Sequence, residues 1–428
     1  MVRASKHTRI LMQKRRVINQ SIHYYHTITI TMYVTKPRSL YRRFPAALSA
    51  HPPADGPFSG QLVVTDEDSD AMDSSCCGIC NTDRIKNLPL PSDRILKVVH
   101  SLPDEAANIA KVWFVPVLDH PLSSNRYYAI KARGHHKGRA YTCSKEGDAG
   151  MCCCPRTSRM SENRTRPFDH RDRYQQMEIR PYPGGGFFAR SVEWDGYPPS
   201  FLRKGGWEAY VSHSFKVHLR EAPALREPPP TALPGLDFPV NSRRSIPAVI
   251  GKWYCPFMFV KEDDVRCCDQ MRKSLLYEVS LKLWWERIYS ADNDGGGGGC
   301  HVEVDARVNK LICLVNGKEG EKDERQDMDG FVLFKLKGEF GKRGGVGLSL
   351  GLYEKMKWLQ ETRGWFDGER YVRVSGRKEI HGHGGGCNDW TKFGCYVLVE
   401  SFVVRAFDGR LVINFNFKNT DKIACKWE

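Results

Sequence analysis

Residues 275–289 alternate between apolar and polar side chains almost without interruption. Leu275, Tyr277, Val279, Leu281, Leu283, Trp285 and Tyr289 fall on one side, broken only by Arg287, and Glu278, Ser280, Lys282 and Glu286 fall on the other. Successive strand side chains point to opposite faces, so this period of two predicts a long strand with one buried and one wetted face. A helix would align Leu275, Val279 and Leu283 but leave Trp285 and Tyr289 off its stripe. The same alternation returns at 301–308 and 402–417. The expected fold class is mainly β and antiparallel, with few short helices.

At 428 residues the chain exceeds what one hydrophobic core usually organises. From Met32 onward short β-like runs recur at 62–65, 95–99, 112–117, 127–132, 140–143, 174–179 and 187–192, separated by Gly/Pro turn clusters. They predict a short-strand, sandwich- or prism-like N-terminal domain over residues 32–215. Seven prolines between 216 and 247 predict a stiff linker. Longer runs follow at 252–261, 275–289, 302–308, 311–315, 331–336, 371–374, 395–405 and 411–417, giving a long-strand antiparallel domain over 248–428. Asp408-Gly409 suits a tight turn between the last two runs. One helix is expected at 353–362, and the six-arginine segment 156–173 reads as an exposed loop.

The net charge of +15 suggests nucleic acid, but its distribution argues otherwise. Residues 1–43 hold ten Lys/Arg and no acid, so the other 385 residues net only +5 and offer phosphates no sustained field. Residues 1–31 read as a disordered basic extension ahead of a natural start at Met32. Their acid-free, Arg-rich composition also fits an organelle transit peptide. The most apolar stretch, 248–260, is too short to cross a membrane and contains Lys252 and Pro256. Fifteen cysteines without a secretory leader are expected to be thiols in a reducing compartment, cytoplasmic or nuclear, organelle import through the basic N-terminus being the other route.

Three groups of residues carry candidate chemistry. Gly347-Leu348-Ser349-Leu350-Gly351 matches the elbow that exposes a nucleophilic serine, and Asp367 with His381 or His383 would complete the order Ser, Asp, His. True elbows sit in parallel sheets with the oxyanion loop before the serine, whereas here antiparallel runs surround it and His383-Gly384-Gly385-Gly386 follows it. Cys77 and Cys80, two residues apart, could grip one side of a tetrahedral zinc that Cys152 and Cys154 would complete. The gap of some seventy residues between the pairs weakens that set, and free cysteines also serve as small core hydrophobes. A further set is His381, His383 and Cys387 on a Gly-rich loop. Arg126-Tyr127-Tyr128, Lys252-Trp253-Tyr254 and Trp284-Trp285 could stack on bases or sugars, yet they alternate as core strand residues do.

Several longer phrases point to a family. They are Met32-Tyr33-Val34-Thr35-Lys36-Pro37, the run from Pro116 to Tyr128, Ala140-Tyr141-Thr142-Cys143-Ser144, Tyr174-Gln175-Gln176, the run from Gly251 to Phe259, and the close from Lys422 to Glu428. In these the chain resembles the plant family catalogued as domain of unknown function 1262. That family has no established activity, and some members are linked to stress or defence. The resemblance implies a start at Met32 and places both cysteine clusters within the family pattern. Members commonly carry Ala where this chain has Gly351, which tells against the serine elbow. The function expected is a non-enzymatic intracellular binding or interaction module for a protein or carbohydrate ligand. The alternatives are a serine hydrolase using Ser349 and, by architecture, a lectin-like or membrane-acting β protein. A chain beginning at Met32 should show the same melting temperature as the full chain in a thermal scan, and a clear loss of stability would refute the dispensability of residues 1–31.

Overall fold

The computed structural model describes residues 32–51, 56–57, 59–69, 83–102, 105–145, 164–216, 219–225, 234–263, 265–293, 300–323, 330–338, 344–366, 368–380 and 390–428. The first described elements are Met32–Pro37 (β1), the helix Arg38–Arg43 (α1) and Ser59–Val64 (β2). There follow Arg84–Ile85 (β3), Arg94–Leu102 (β4), Glu105–Pro116 (β5), Arg126–Lys131 (β6), Ala140–Tyr141 (β7), Ser144–Lys145 (β8) and Thr165–Arg166 (β9). Next are Gln176–Pro181 (β10), Phe187–Ser191 (β11), Gly196–Tyr197 (β12), the helix Ser200–Arg203 (α2) and Glu208–Lys216 (β13). Beyond them lie Ala224–Leu225 (β14), Ala248–Pro256 (β15), Val260–Glu262 (β16), the helix Cys267–Lys273 (α3), Leu276–Asp292 (β17), His301–Asn309 (β18), Leu311–Val315 (β19) and Lys318–Lys322 (β20). Phe331–Leu336 (β21), Val346–Ser349 (β22), the helix Leu350–Thr362 (α4), Tyr371–Glu379 (β23), Lys392–Ala406 (β24) and Leu411–Trp427 (β25) complete it. The protein is mainly β with few helices, as the alternation predicts.

A twelve-stranded sheet runs in the order β16-β22-β21-β20-β19-β25-β24-β17-β15-β1-β2, with β14 pairing on β15. All its described pairings are antiparallel except β1 with β2. The sheet therefore takes strands from both sides of the proline-rich segment, since Tyr33 of β1 lies opposite Tyr254 of β15. A nine-stranded sheet is built around β11-β10-β6-β5-β4-β13-β3. Its central strands serve two cores by alternation. Trp113 and Val115 of β5 and Tyr128 and Ile130 of β6 join the core of the large sheet. Val112, Phe114, Tyr127 and Ala129 face a second core with Trp207 and Leu202. Trp113 stacks on Phe257 across the junction at 6.2 Å between ring centroids, and the Tyr33 hydroxyl donates to the Pro116 carbonyl at 2.9 Å.

The expected wet face of β17 is buried in part, at Ser280 and Trp284, while Glu278, Lys282 and Glu286 stay half-exposed. Trp284 packs with Val397 and Val399, and Trp285 on the other face packs with Tyr396, Leu398, Leu236 and Phe238. Residues 234–247, expected as a linker, lie along the sheet and cover the face of Trp285, the one expected to be dry. There the Trp285 indole donates to the Pro234 carbonyl at 2.6 Å, and Arg287 and the Tyr396 hydroxyl both donate to that of Val240 at 2.9 Å. Arg287, the one break in the alternation, sits beside a register shift between Arg287 and Tyr289. The extra residue of such a bulge exchanges the two faces, so Tyr289 reaches Phe393 further along the strand.

The aromatic–basic pairs are core: Tyr127, Tyr128, Trp253, Tyr254, Trp284 and Trp285 are all buried. The thiol expectation fails at Cys300, which is disulfide-bonded. Phe402 on β24 is wholly buried between Trp253 and Phe417. Phe402→Ala should lower unfolding free energy in urea by about 3–5 kcal/mol. Phe407→Ala, at a 41 % exposed site, should change it by less than about 0.5 kcal/mol.

Candidate functional site

At the junction of the two sheets, loop 167–171 faces the segment 257–270 across a cleft of about 520 Å³. The second wall exists because β15 ends at Pro256, the chain makes a 3-10 turn over Phe257–Phe259, and α3 folds back after β16. Phe168, Phe257, Met258, Val260, Val265 and Phe331 supply an apolar lining, and Arg139, Asp169, Arg171, Lys261, Cys267 and Gln270 supply the polar groups. That size and mixture suit a small amphipathic ligand.

Both walls are held from behind. Phe168 makes edge contacts at 5.0 Å with Tyr128 and with Phe259, pinning the loop to the core. Gln175 braces the loop at its start and middle, donating to the Pro167 carbonyl at 2.9 Å and accepting from the Asp169 amide at 3.0 Å. The Tyr128 hydroxyl donates to the His170 carbonyl at 3.1 Å. The His170 ring lies beside Phe259, and loss of hydration there pushes its pKa down to about 4, so it is neutral at pH 7. On the other wall the Gln270 amide donates to the Phe257 carbonyl at 3.3 Å and to the Tyr277 hydroxyl at 2.8 Å. Tyr277 in turn donates to Glu262 at 2.6 Å, and Arg410 pairs with the same carboxylate at 2.8 Å.

The cleft is cationic. Arg171 spends its charge on Asp169, with Nε 3.1 Å from Oδ1, and lies over the Gly330 turn. Arg139 and Lys261 have no carboxylate partner among the described residues. Cys267 is exposed as a residue, yet its Sγ lies 3.4 Å from the Gly138 carbonyl oxygen, and burial of that atom raises its thiol pKa. A raised thiol is a poor nucleophile, and no base is placed beside it among the described residues. A smaller hollow of about 300 Å³ at Arg38, Tyr41, Arg42 and Asn87 is partly closed by the Arg38 guanidinium, which donates to the Asn87 carbonyl at 2.9 Å.

The candidates read from sequence fare differently. Ser349 does join a strand to a helix, but β22 pairs antiparallel with both β16 and β21. Its side chain is buried, and Oγ accepts from the Leu352 amide at 3.2 Å as the N-cap of α4. The elbow reading is thereby corrected: capping turns the hydroxyl inward, away from any substrate. Asp367, His381, His383 and Cys387 lie outside the described residues, as do Cys77, Cys80, Cys152 and Cys154. Cys143, upstream of the second cysteine cluster, packs in the core of the smaller sheet, and burial pushes its thiol up to about 11. Among the described residues no group of three His, Cys, Asp or Glu side chains could hold a metal ion. No described helix is long and apolar enough to cross a membrane.

Residues 55–154 match the model of a family described as "Protein of unknown function (DUF1262)". The match spans β2 to β8 and includes Arg139 of the cleft. No curated protein matches the chain. Among solved structures it is similar to the one titled "Crystal structure of Cry35Ab1", at 10% identity over 79% of this chain and 90% of that one, with a TM-score of 0.42. That likeness is too distant to bear on function.

The half-buried, neutral His170 should make stability depend on acid. Below the unfolded-state value near 6.5 the unfolded chain takes up a proton that folded His170 refuses until about pH 4. Its effect is absent above pH 7 and grows as pH falls from about 6.5 to 4. Urea midpoints measured across that window should fall with decreasing pH, and His170→Phe should flatten the slope. An unchanged slope would mean that His170 is solvated.

Proposed function

We propose that the protein is a non-enzymatic binding module whose ligand is a small amphipathic anion, taken up in the cleft at the sheet junction. The observation that carries this reading is the pairing of Arg139 and Lys261, without carboxylate partners among the described residues, with an apolar lining of Phe168, Phe257, Met258 and Phe331. An acidic head group would gain charge-assisted hydrogen bonds from the two cations, while its apolar body displaces water from the aromatic walls. The braced backbone behind both walls keeps the site preformed, which limits the ordering cost of binding.

The membrane-acting alternative draws on the ribbon of β18 and β23, whose Val302, Val304, Ala306 and Val308 face inward and whose polar residues face out. Membrane strands alternate in this way. Residues 310–370 lie between its two strands, however, and form β19 to β22 and α4. Release of the ribbon would pull four strands out of the large sheet, so the binding reading is preferred.

The test uses 1-anilinonaphthalene-8-sulfonate, an aromatic anion whose fluorescence rises in apolar surroundings. The folded chain should bind it saturably at one site, and Arg139→Glu with Lys261→Glu should weaken binding by about 10–100-fold, the worth of one to two charged hydrogen bonds. Arg42→Glu in the smaller hollow should leave it unchanged. Binding that ignores the cleft substitutions, or never saturates, would remove the proposal.

A further inference from the structure

Cys395 on β24 and Cys425 on β25 stand directly opposite each other, in a register unbroken from Phe393 to Val397. The ladder fixes which kind of pair they make. The Lys392 amide donates to the Glu428 carbonyl at 2.7 Å and the Glu428 amide returns a bond to the Lys392 carbonyl at 2.9 Å. Lys392 and Glu428 are thus a hydrogen-bonded pair, and alternation makes Cys395 and Cys425, three positions in, a non-hydrogen-bonded one. Such pairs hold their Cα atoms about 4.5 Å apart with side chains on the same face, inside the 4.4–6.8 Å that a disulfide spans. Both residues are free thiols in the structure.

We propose that Cys395 and Cys425 form a reversible cross-strand thiol–disulfide site that takes a small disulfide of the oxidised-glutathione class as its oxidant. Their surroundings divide the roles. Cys395 is wholly buried and Cys425 only partly so, among Phe393, Trp427, Trp390 and Val302. A hydrogen bond from Cys395 lowers the Cys425 thiol, against the opposing effect of burial and with help from Lys378 of β23. Cys395 is raised by the same hydrogen bond and by burial. Lys378 and, from β17, Tyr289 opposite Cys395 are the ionisable side chains brought against the pair among the described residues. Cys425 is the attacking thiolate and Cys395 the resolving one.

The steps balance. The Cys425 thiolate attacks one sulfur of oxidised glutathione, forming a mixed disulfide and releasing one glutathione thiolate. Cys395 gives its proton to that thiolate and attacks the Cys425 sulfur, releasing the second glutathione. Two protein thiols become one disulfide, and one oxidised glutathione becomes two reduced molecules. No other described free pair offers this geometry: Cys267 and Cys268 are consecutive, and Cys143, Cys255 and Cys313 are buried in strands or turns without a cysteine opposite. Cys300, which leads into β18 beside this cluster, is already disulfide-bonded.

The full chain should be incubated at neutral pH with reduced or oxidised glutathione, alkylated, digested without reductant and mapped by mass spectrometry. Oxidation should yield a peptide pair joined through Cys395 and Cys425, about 2 Da lighter than its parts and dispersed by dithiothreitol. In the reduced chain Cys425 should alkylate at least about tenfold faster than Cys395. Cys395→Ser should stop the reaction at glutathione-bound Cys425. Recovery of both cysteines alkylated after oxidation, or of a wild-type Cys425 held as a lasting mixed disulfide, would overturn the proposal. The wild-type map decides this even if the variant does not fold.

Discussion

A strand buried on both faces makes demands on everything around it, and β24 is such a strand for nearly all its length. Its two neighbours, β17 and β25, satisfy the backbone hydrogen bonds. Its side chains still need cover above and below. One cover is the core shared with the smaller sheet through Trp113 and Tyr128, into which Phe402 of β24 packs beside Trp253 and Phe417. Another is the proline-rich segment carrying Leu236 and Phe238. Toward the far end, the β18–β23 ribbon brings Val302 and Val304. Even the one acid in its middle, Glu400, obeys the constraint: it is 1 % exposed and pairs with Arg363 after α4 at 3.1 Å. Burial raises its pKa, with the arginine opposing.

The same logic places the cleft. Because β5 and β6 give alternate side chains to two cores, the smaller sheet is fixed against the larger one through Trp113 and Tyr128. Loops at that junction cannot also be filled by strand side chains, since the strands end there at Pro256 and Pro116. A concave, half-apolar space results, and loop residues decide its charge. A positive lining on a nearly balanced body gives selectivity by charge sign at close range, not long-range attraction.

Much of the strand framework was legible in the alternation. Residues 311–315 and 331–336 match their strands end to end, and the Asp408-Gly409 turn joins β24 to β25 as the dipeptide suggests, with Gly409 at a φ of 87°. What periodicity cannot reveal is which faces find cover, because the cover lies elsewhere in sequence. Hence Ser280 and Trp284, on the side expected to be wet, are buried. The helix at 353–362 begins three residues earlier, because Ser349 is its cap and not an exposed nucleophile. Cleft residues Arg139, Arg171 and Lys261 belong to three separate segments with no shared spacing, so nothing local could have joined them. The arginine-rich loop stands out by composition, but Phe168, which anchors it, reads in sequence as one aromatic among charges.

The antiparallel partner of β1 is β15, more than two hundred residues downstream. On a ribosome Met32–Pro37 emerges early and can pair at first only with β2, in parallel. A two-stranded parallel pair is weak alone, and closing so long a loop is slow. Tyr33, wholly buried in the finished protein, must therefore wait for residues 248–256 to be made before it has a sheet to enter. Throughout that interval β1 offers an apolar, unpaired edge to any other chain, so the protein's exposure to misassembly is set by this early strand and the synthesis time of its partner.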